Sequence, residues 1–121
     1  MTKCYDDKGV AIQGVGATGP LDPTNENTYT FLTSLYKELS TIFPDKFVHV
    51  GGDEVNPACW NSNPDVQKYM KAHNLTSFAD LETLFEQRLL DLLKKQGTST
   101  IVWQEIFDNG AKIAPDTVID V

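Results

Sequence analysis

Between Asn27 and Phe43 the apolar residues Phe31, Leu32, Leu35, Leu39 and Ile42 recur at three- and four-residue intervals, and the spacing predicts an amphipathic helix that Pro44-Asp45 ends. The pattern then changes to a β-rich run, Phe47 to Val50, which predicts a strand. Asn56-Pro57 and Asn61-Ser62-Asn63-Pro64 mark a loop. Asn63 then caps a short helix from Pro64 to about His73. A longer helix is expected after Ser77, with Phe78, Leu81, Phe85, Leu89 and Leu92 as its buried stripe, widened by Leu84 and Leu93. Asp80 suits its first turn, Lys94 and Lys95 its last, and Gly97 stops it. A second strand runs from Thr100 to Trp103, one helical turn is expected at Ala111 to Ala114, cut by Pro115, and a third strand covers Thr117 to Val121. Residues 1–27, punctuated by glycines and prolines, read as loop with a short extended piece.

Helix, strand, helix, strand, short helix, strand is the alternation of an α/β chain whose strands run parallel with right-handed crossovers. There is no internal repeat and no low-complexity segment. Three strands cannot close a barrel, which takes eight strands and roughly 250 residues.

Composition adds exclusions. A chain of 121 residues fits one domain with a moderate core, and its apolar and charged fractions are ordinary for a globular protein. A net charge of −7 argues against nucleic-acid or anionic-membrane binding. No apolar run is long enough for a transmembrane helix, and residues 1–20 lack the apolar core of a signal peptide, so a targeting segment is expected outside this chain if the protein is secretory. Cys4 and Cys59 are too few to define a disulfide framework; by themselves two buried thiols are the simpler reading. Asn74-Leu75-Thr76 is an N-glycosylation sequon, meaningful only in a secretory protein.

The chemistry concentrates in His49-Val50-Gly51-Gly52-Asp53-Glu54. Two glycines and two adjacent carboxylates stand where the first strand stops, and α/β folds place their chemistry at such C-terminal strand tips. Consecutive carboxylates point in different directions, which suits two jobs on one substrate. No zinc-type His or Cys partner set, P-loop or Gly-x-Ser-x-Gly pattern is present, so neither a metal nor a cofactor is expected.

His-x-Gly-Gly-Asp-Glu resembles the signature of glycoside hydrolase family 20, the β-N-acetylhexosaminidases. Cys59-Trp60-x-Ser62-Asn63-Pro64, Ile101 to Asp108, Cys4-Tyr5 and Gly19 to Thr24 are similar to the animal lysosomal-type members, in the same order and at similar spacing. The resemblance runs over nearly all of the chain, thinning between Gly9 and Gly16. It implies that residues 1–121 are the central part of a catalytic (β/α)8 TIM barrel, about three parallel strands with their helices and no second domain. It also implies a lysosomal or secreted parent that can form a dimer, acting on N-acetylhexosamine-containing glycoconjugates or chitooligosaccharides.

Site roles follow from the same resemblance. Most retaining glycosidases use two carboxyls, one as nucleophile, but this family is an exception: the substrate's own 2-acetamido oxygen attacks the anomeric carbon. Glu54 is then the general acid/base, and Asp53 orients and polarises the acetamido N–H. Trp103 resembles a tryptophan that walls the sugar pocket. His49, placed by strand alternation on the side of Asp53, either tunes the carboxylates or packs beneath them. Cys4 and Cys59 match positions that the family bridges. Glu105 stands near the same rim without an assigned role, Trp60 is expected to pack around the bridge, and His73 is expected in solvent. Two other readings stand beside this one. A catalytically inert or merely sugar-binding piece is the first; the second is a diguanylate-cyclase-like nucleotide enzyme, which Gly51-Gly52-Asp53-Glu54 alone resembles but whose motif ends in Phe where this chain has Val55.

Overall fold

A computed structural model describes residues 1–121. Its elements are α1 (Glu26–Ile42), β1 (Phe47–His49), α2 (Ala58–Ser62), α3 (Pro64–Ala72), α4 (Phe78–Lys95), β2 (Ser99–Trp103), α5 (Gln104–Asp108) and β3 (Val118–Asp120). The strands form one parallel sheet in the order β1-β2-β3, as the alternation predicts. The register sets His49 beside Ile101 and Trp103 beside Asp120. Residues 1–18 add two antiparallel bridges, Lys3 with Thr18 and Tyr5 with Ala11.

Local chemistry explains the helix boundaries. The Asn25 side chain accepts from the Asn27 N–H to start α1, and Asn63 does the same for Asp65 and Val66 at α3. Ser77 and Asp80 form a reciprocal capping box on α4. The Thr76 and Ser77 N–H groups, with their hydroxyls, hold the Asp80 carboxyl below the usual carboxylate range.

The α4 helix organises the core. Leu89 and Leu93 pack with Leu32 of α1, Leu90 packs with Val102 and Ile106, and Leu81 joins Trp60, Val66 and Met70. Burying one such side chain contributes roughly 1.5–3 kcal/mol, so this helix fastens the sheet, α1 and the α2–α3 segment to one another. Strand alternation sends Thr100 and Val102 into the core, leaving His49, Trp103 and Asp120 on the opposite, accessible face.

Several expectations are corrected. Ala111–Ala114 forms no helix; α5 instead follows β2 directly, and Gly110, at φ +87°, ends that turn. Ala114 precedes Pro115, a position where the α conformation is disfavoured. The predicted loop before Asn63 contains α2. On α1, Tyr29 and Leu32 are buried, whereas Phe31 and Ile42 are 57% and 60% exposed, so the helix packs on a narrower face than its apolar residues suggested. On α4 the buried face is rotated to include Glu82 and Glu86.

Candidate active site

The site grows from the end of β1. The Val50 N–H donates to the Ile101 carbonyl at 2.9 Å and the Trp103 N–H to the Gly51 carbonyl at 3.1 Å, so pairing with β2 continues into the glycines. The backbone then turns left-handed at Gly51 (φ +77°), Gly52 (+94°) and Glu54 (+52°). A Cβ on Gly52 would lie 2.0 Å from Ile106 Cδ1, so glycine is required there for space as well as for φ. A glutamate at positive φ is unfavourable and persists only where its surroundings hold it, a condition that clusters at active sites.

Further contacts hold this turn and the histidine before it. The Gly51 N–H donates to His49 Nδ1 at 3.0 Å. The neutral imidazole therefore carries its proton on Nε2, which faces Asp120 Oδ2 at 3.5 Å. The His49 ring also packs on Trp103, with centroids 4.8 Å apart. From the other side, the Glu54 N–H donates to Glu105 Oε2 at 3.2 Å.

Asp53 and Glu54 are both exposed at the tip. Asp53 also lines a cavity of about 220 Å³ whose walls include Gly52, Trp60, Glu82 and Glu86. A larger depression of about 360 Å³ between α4 and the loop before β3 contains none of the motif residues, and one of about 330 Å³ between α1 and β1 contains only His49 of them. Burial pushes the Glu86 carboxyl up to about 7, with the nearby Glu82 charge adding to the effect. Burial also raises Glu82, helped by Glu105.

The structure thus brings together Trp103, His49 and the Gly-Gly-Asp-Glu turn, all from the C-terminal ends of β1 and β2. His49 faces Trp103 and Asp120, while Asp53, exposed just past the left-handed glycines, also borders the α4 cavity. Sequence reasoning missed Asp120, Glu82 and Glu86. Asp120 follows from β2–β3 register, and the two glutamates from their four-residue spacing on a helix, but neither signal stands out until the faces are known.

Cys4 and Cys59 form a disulfide, which ties the N-terminal segment to the start of α2. A Cβ on Gly19 would lie 2.6 Å from Cys59 Sγ, so the backbone passes directly over the bridge. Beside it, Trp60 is buried against Val66, Met70 and Leu81 and donates its Nε1–H to the Leu21 carbonyl at 3.2 Å, so it belongs to the core as well as to the bridge. Asn74 is exposed at positive φ just after α3. His73 is exposed and stacks on Tyr69.

The sequence profile of the glycosyl hydrolase family 20 catalytic domain matches residues 2–121. The chain belongs to glycosyl hydrolase family 20. It is 42% identical over 121 residues to the mouse beta-hexosaminidase subunit alpha and 43% identical over 122 residues to the human beta-hexosaminidase subunit beta. Each alignment covers 100% of this chain and 22% and 21% of the relative, so the chain spans about a fifth of the length of these curated relatives. Among solved structures, the Vibrio harveyi family 20 exo beta-N-acetylglucosaminidase in complex with N-acetylglucosamine superposes with a TM-score of 0.74 at 27% identity, covering 98% of this chain and 17% of that one. The Flavobacterium johnsoniae chitobiase gives 0.71 at 36% identity over 87% of this chain and 16% of that one. Three parallel strands in sequence order with intervening helices are consistent with a section of the barrel of these family 20 enzymes. The family match includes Gly51 to Glu54, which sets the nucleotide-cyclase reading aside.

Proposed function

We propose that residues 1–121 are the central, catalytic-carboxylate part of a β-N-acetylhexosaminidase barrel domain, which removes terminal β-linked N-acetylglucosamine or N-acetylgalactosamine with retention of configuration. The observation that carries this reading is the left-handed turn that sets Asp53 and Glu54 side by side at the tip of β1, one strand from Trp103. In this reading Glu54 protonates the departing glycosidic oxygen while the substrate's acetamido oxygen closes on the anomeric carbon, so a single acid/base residue suffices. Asp53 accepts the acetamido N–H, which aligns the group and offsets the positive charge that develops as the ring closes. Glu54 then takes a proton from the water that opens the intermediate. Trp103 supplies an aromatic wall for the acetamido methyl, and its contact with His49 fixes the ring.

The substrates would be N-acetylhexosamine-bearing glycoconjugates or chitooligosaccharides. A lysosomal or secreted setting is what the resemblance to the animal lysosomal-type members implies, and a dimeric parent is in keeping with relatives named as alpha and beta subunits. The Cys4–Cys59 bridge and the exposed Asn74 sequon suit that setting too. A second reading, that the 121 residues alone are inert or only bind sugar, is favoured by the exposure of both carboxylates. Release of nitrophenol from a nitrophenyl N-acetyl-β-glucosaminide separates the two. The full-length protein should hydrolyse it and the 121-residue polypeptide should not; absence of hydrolysis by the full-length protein would overturn the first reading.

A further inference from the structure

Glu82 and Glu86 lie one turn apart on α4, 8% and 4% exposed, and Glu82 Oε1 and Glu86 Oε2 are buried without a hydrogen-bond partner. Two such carboxyls in a core are costly unless they are neutral or bridged. Both border the cavity under the β1 turn that Asp53 also lines. Glu86 is the nearer to the backbone: its Oε1 stands 3.4 Å from the point a Cβ on Gly52 would occupy. No cation lines that cavity, and Arg88, two residues along the helix, is engaged with Glu26.

We propose that Glu86 is a positioning residue for the Gly52–Asp53 turn, acting as a neutral carboxylic acid lodged beneath Gly52 and loosening the turn when it ionises. The argument is one of unlike states. As an acid, Glu86 is a hydrogen-bond donor to Glu82 or to water held in the cavity, and it adds no charge under Asp53. As a carboxylate, it places a buried negative charge beside Glu82 of α4, in the cavity that Asp53 of the turn also lines, with Glu105 of α5 acting on Glu82 and the half-buried Tyr36 of α1 beyond. Like charges in a poorly solvated site repel, and the element next to Glu86 that can respond is the Gly-Gly turn, whose left-handed path rests on backbone hydrogen bonds to His49 and Glu105. The upward shift of the Glu86 carboxyl sets the ionisation close to neutrality. The link from turn to activity rests on the function proposed above, whereas the link from Glu86 to the turn does not.

The test is hydrogen exchange of the segment from Val50 to Glu54, followed by mass spectrometry in the full-length protein and its Glu86→Gln variant as pH rises through about 7. In the wild type, exchange should accelerate beyond its intrinsic pH dependence by on the order of tenfold, the equivalent of one pKa unit of coupling. Glu86→Gln keeps shape and cannot ionise, so its segment should stay protected throughout. A Glu86→Leu variant that folds but is unprotected at acid pH supports a hydrogen-bonding acid rather than a filler. Equal exchange in wild type and Glu86→Gln at every pH would overturn the proposal. If the exchange switch is present while no N-acetylhexosaminide is hydrolysed, the functional reading fails and the role of Glu86 stands.

Discussion

Glu105, in the first turn of α5, accepts the backbone N–H of Glu54 across 51 residues of sequence, at 3.2 Å. The contact joins the tip of β1 to the element that follows β2, and it restrains a residue whose φ of +52° is otherwise unfavourable. It also gives Glu105 a place in the site as a support for Glu54, not as a second acid.

Removing that support should lower turnover without unfolding the protein. A hydrogen bond to a charged acceptor is worth about 1.5–3 kcal/mol, so Glu105→Ala should reduce kcat by roughly tenfold or more. Glu105→Gln keeps an oxygen in place and should recover most of the loss. Steady-state kinetics of the two variants, beside their melting temperatures, checks this; equal losses for both would remove the role.

Gly52→Ala should be among the most damaging small substitutions in the chain. The added methyl meets Ile106 Cδ1 at 2.0 Å on a backbone with φ +94°. Overpacking and left-handed strain each contribute about 1–3 kcal/mol, so a loss of at least 2 kcal/mol is expected. Denaturant unfolding measures it, and Ile106→Ala should relieve part of the steric share in the double mutant.

The Cys4–Cys59 bridge, with a sequence separation of 55, should contribute on the order of 4 kcal/mol through loop closure in the unfolded chain. A Cys4→Ser/Cys59→Ser protein should therefore melt well below the wild type, and reductant should lower the wild-type Tm toward it. A Tm unmoved by both would mean that the bridge adds nothing to stability.

Stability should also fall as pH rises. The ordinary Glu value is 4.5, and the folded state holds Glu86 up to about 7. Below the first value the acid is protonated in both folded and unfolded chains, and its contribution is fully present. Between the two values the unfolded chain gives up its proton first, so stability declines with pH and levels off above about 7, by on the order of 3 kcal/mol at most. Unfolding curves across this window should lose that slope in Glu86→Gln; an unchanged slope would assign it to other groups.

The sequence revealed the elements more readily than the faces they bury. Helical spacing placed α1, α3 and α4 within a residue or two, since caps such as Asn63 and Ser77 act locally. The same spacing counted Phe31 and Ile42 into the core and left Glu82 and Glu86 out, because burial depends on how α4 rotates against the sheet. The helix α5 escaped for a different reason: Gln104 to Asp108 is one short polar turn directly after a strand, with only Ile106 buried. The placement of Asp53, Glu54 and Trp103 at strand tips was legible because motif and strand end coincide. The His49–Asp120 pair was not, since it exists only through the register of β2 with β3.

The separate roles of Glu54 and Asp53 are the centre of the account, and leaving-group dependence tests them most directly. In the full-length protein, kcat/KM should be measured for Glu54→Gln and Asp53→Asn on a nitrophenyl and an alkyl N-acetyl-β-glucosaminide. General acid catalysis is worth about 10²–10⁴-fold. Glu54→Gln should therefore lose most of its activity on the alkyl glycoside, which needs a proton to depart, and far less at the first step on the nitrophenyl one. Asp53→Asn should slow both alike, because its charge serves the acetamido group and not the leaving oxygen. The same leaving-group dependence in both variants would contradict the assignment.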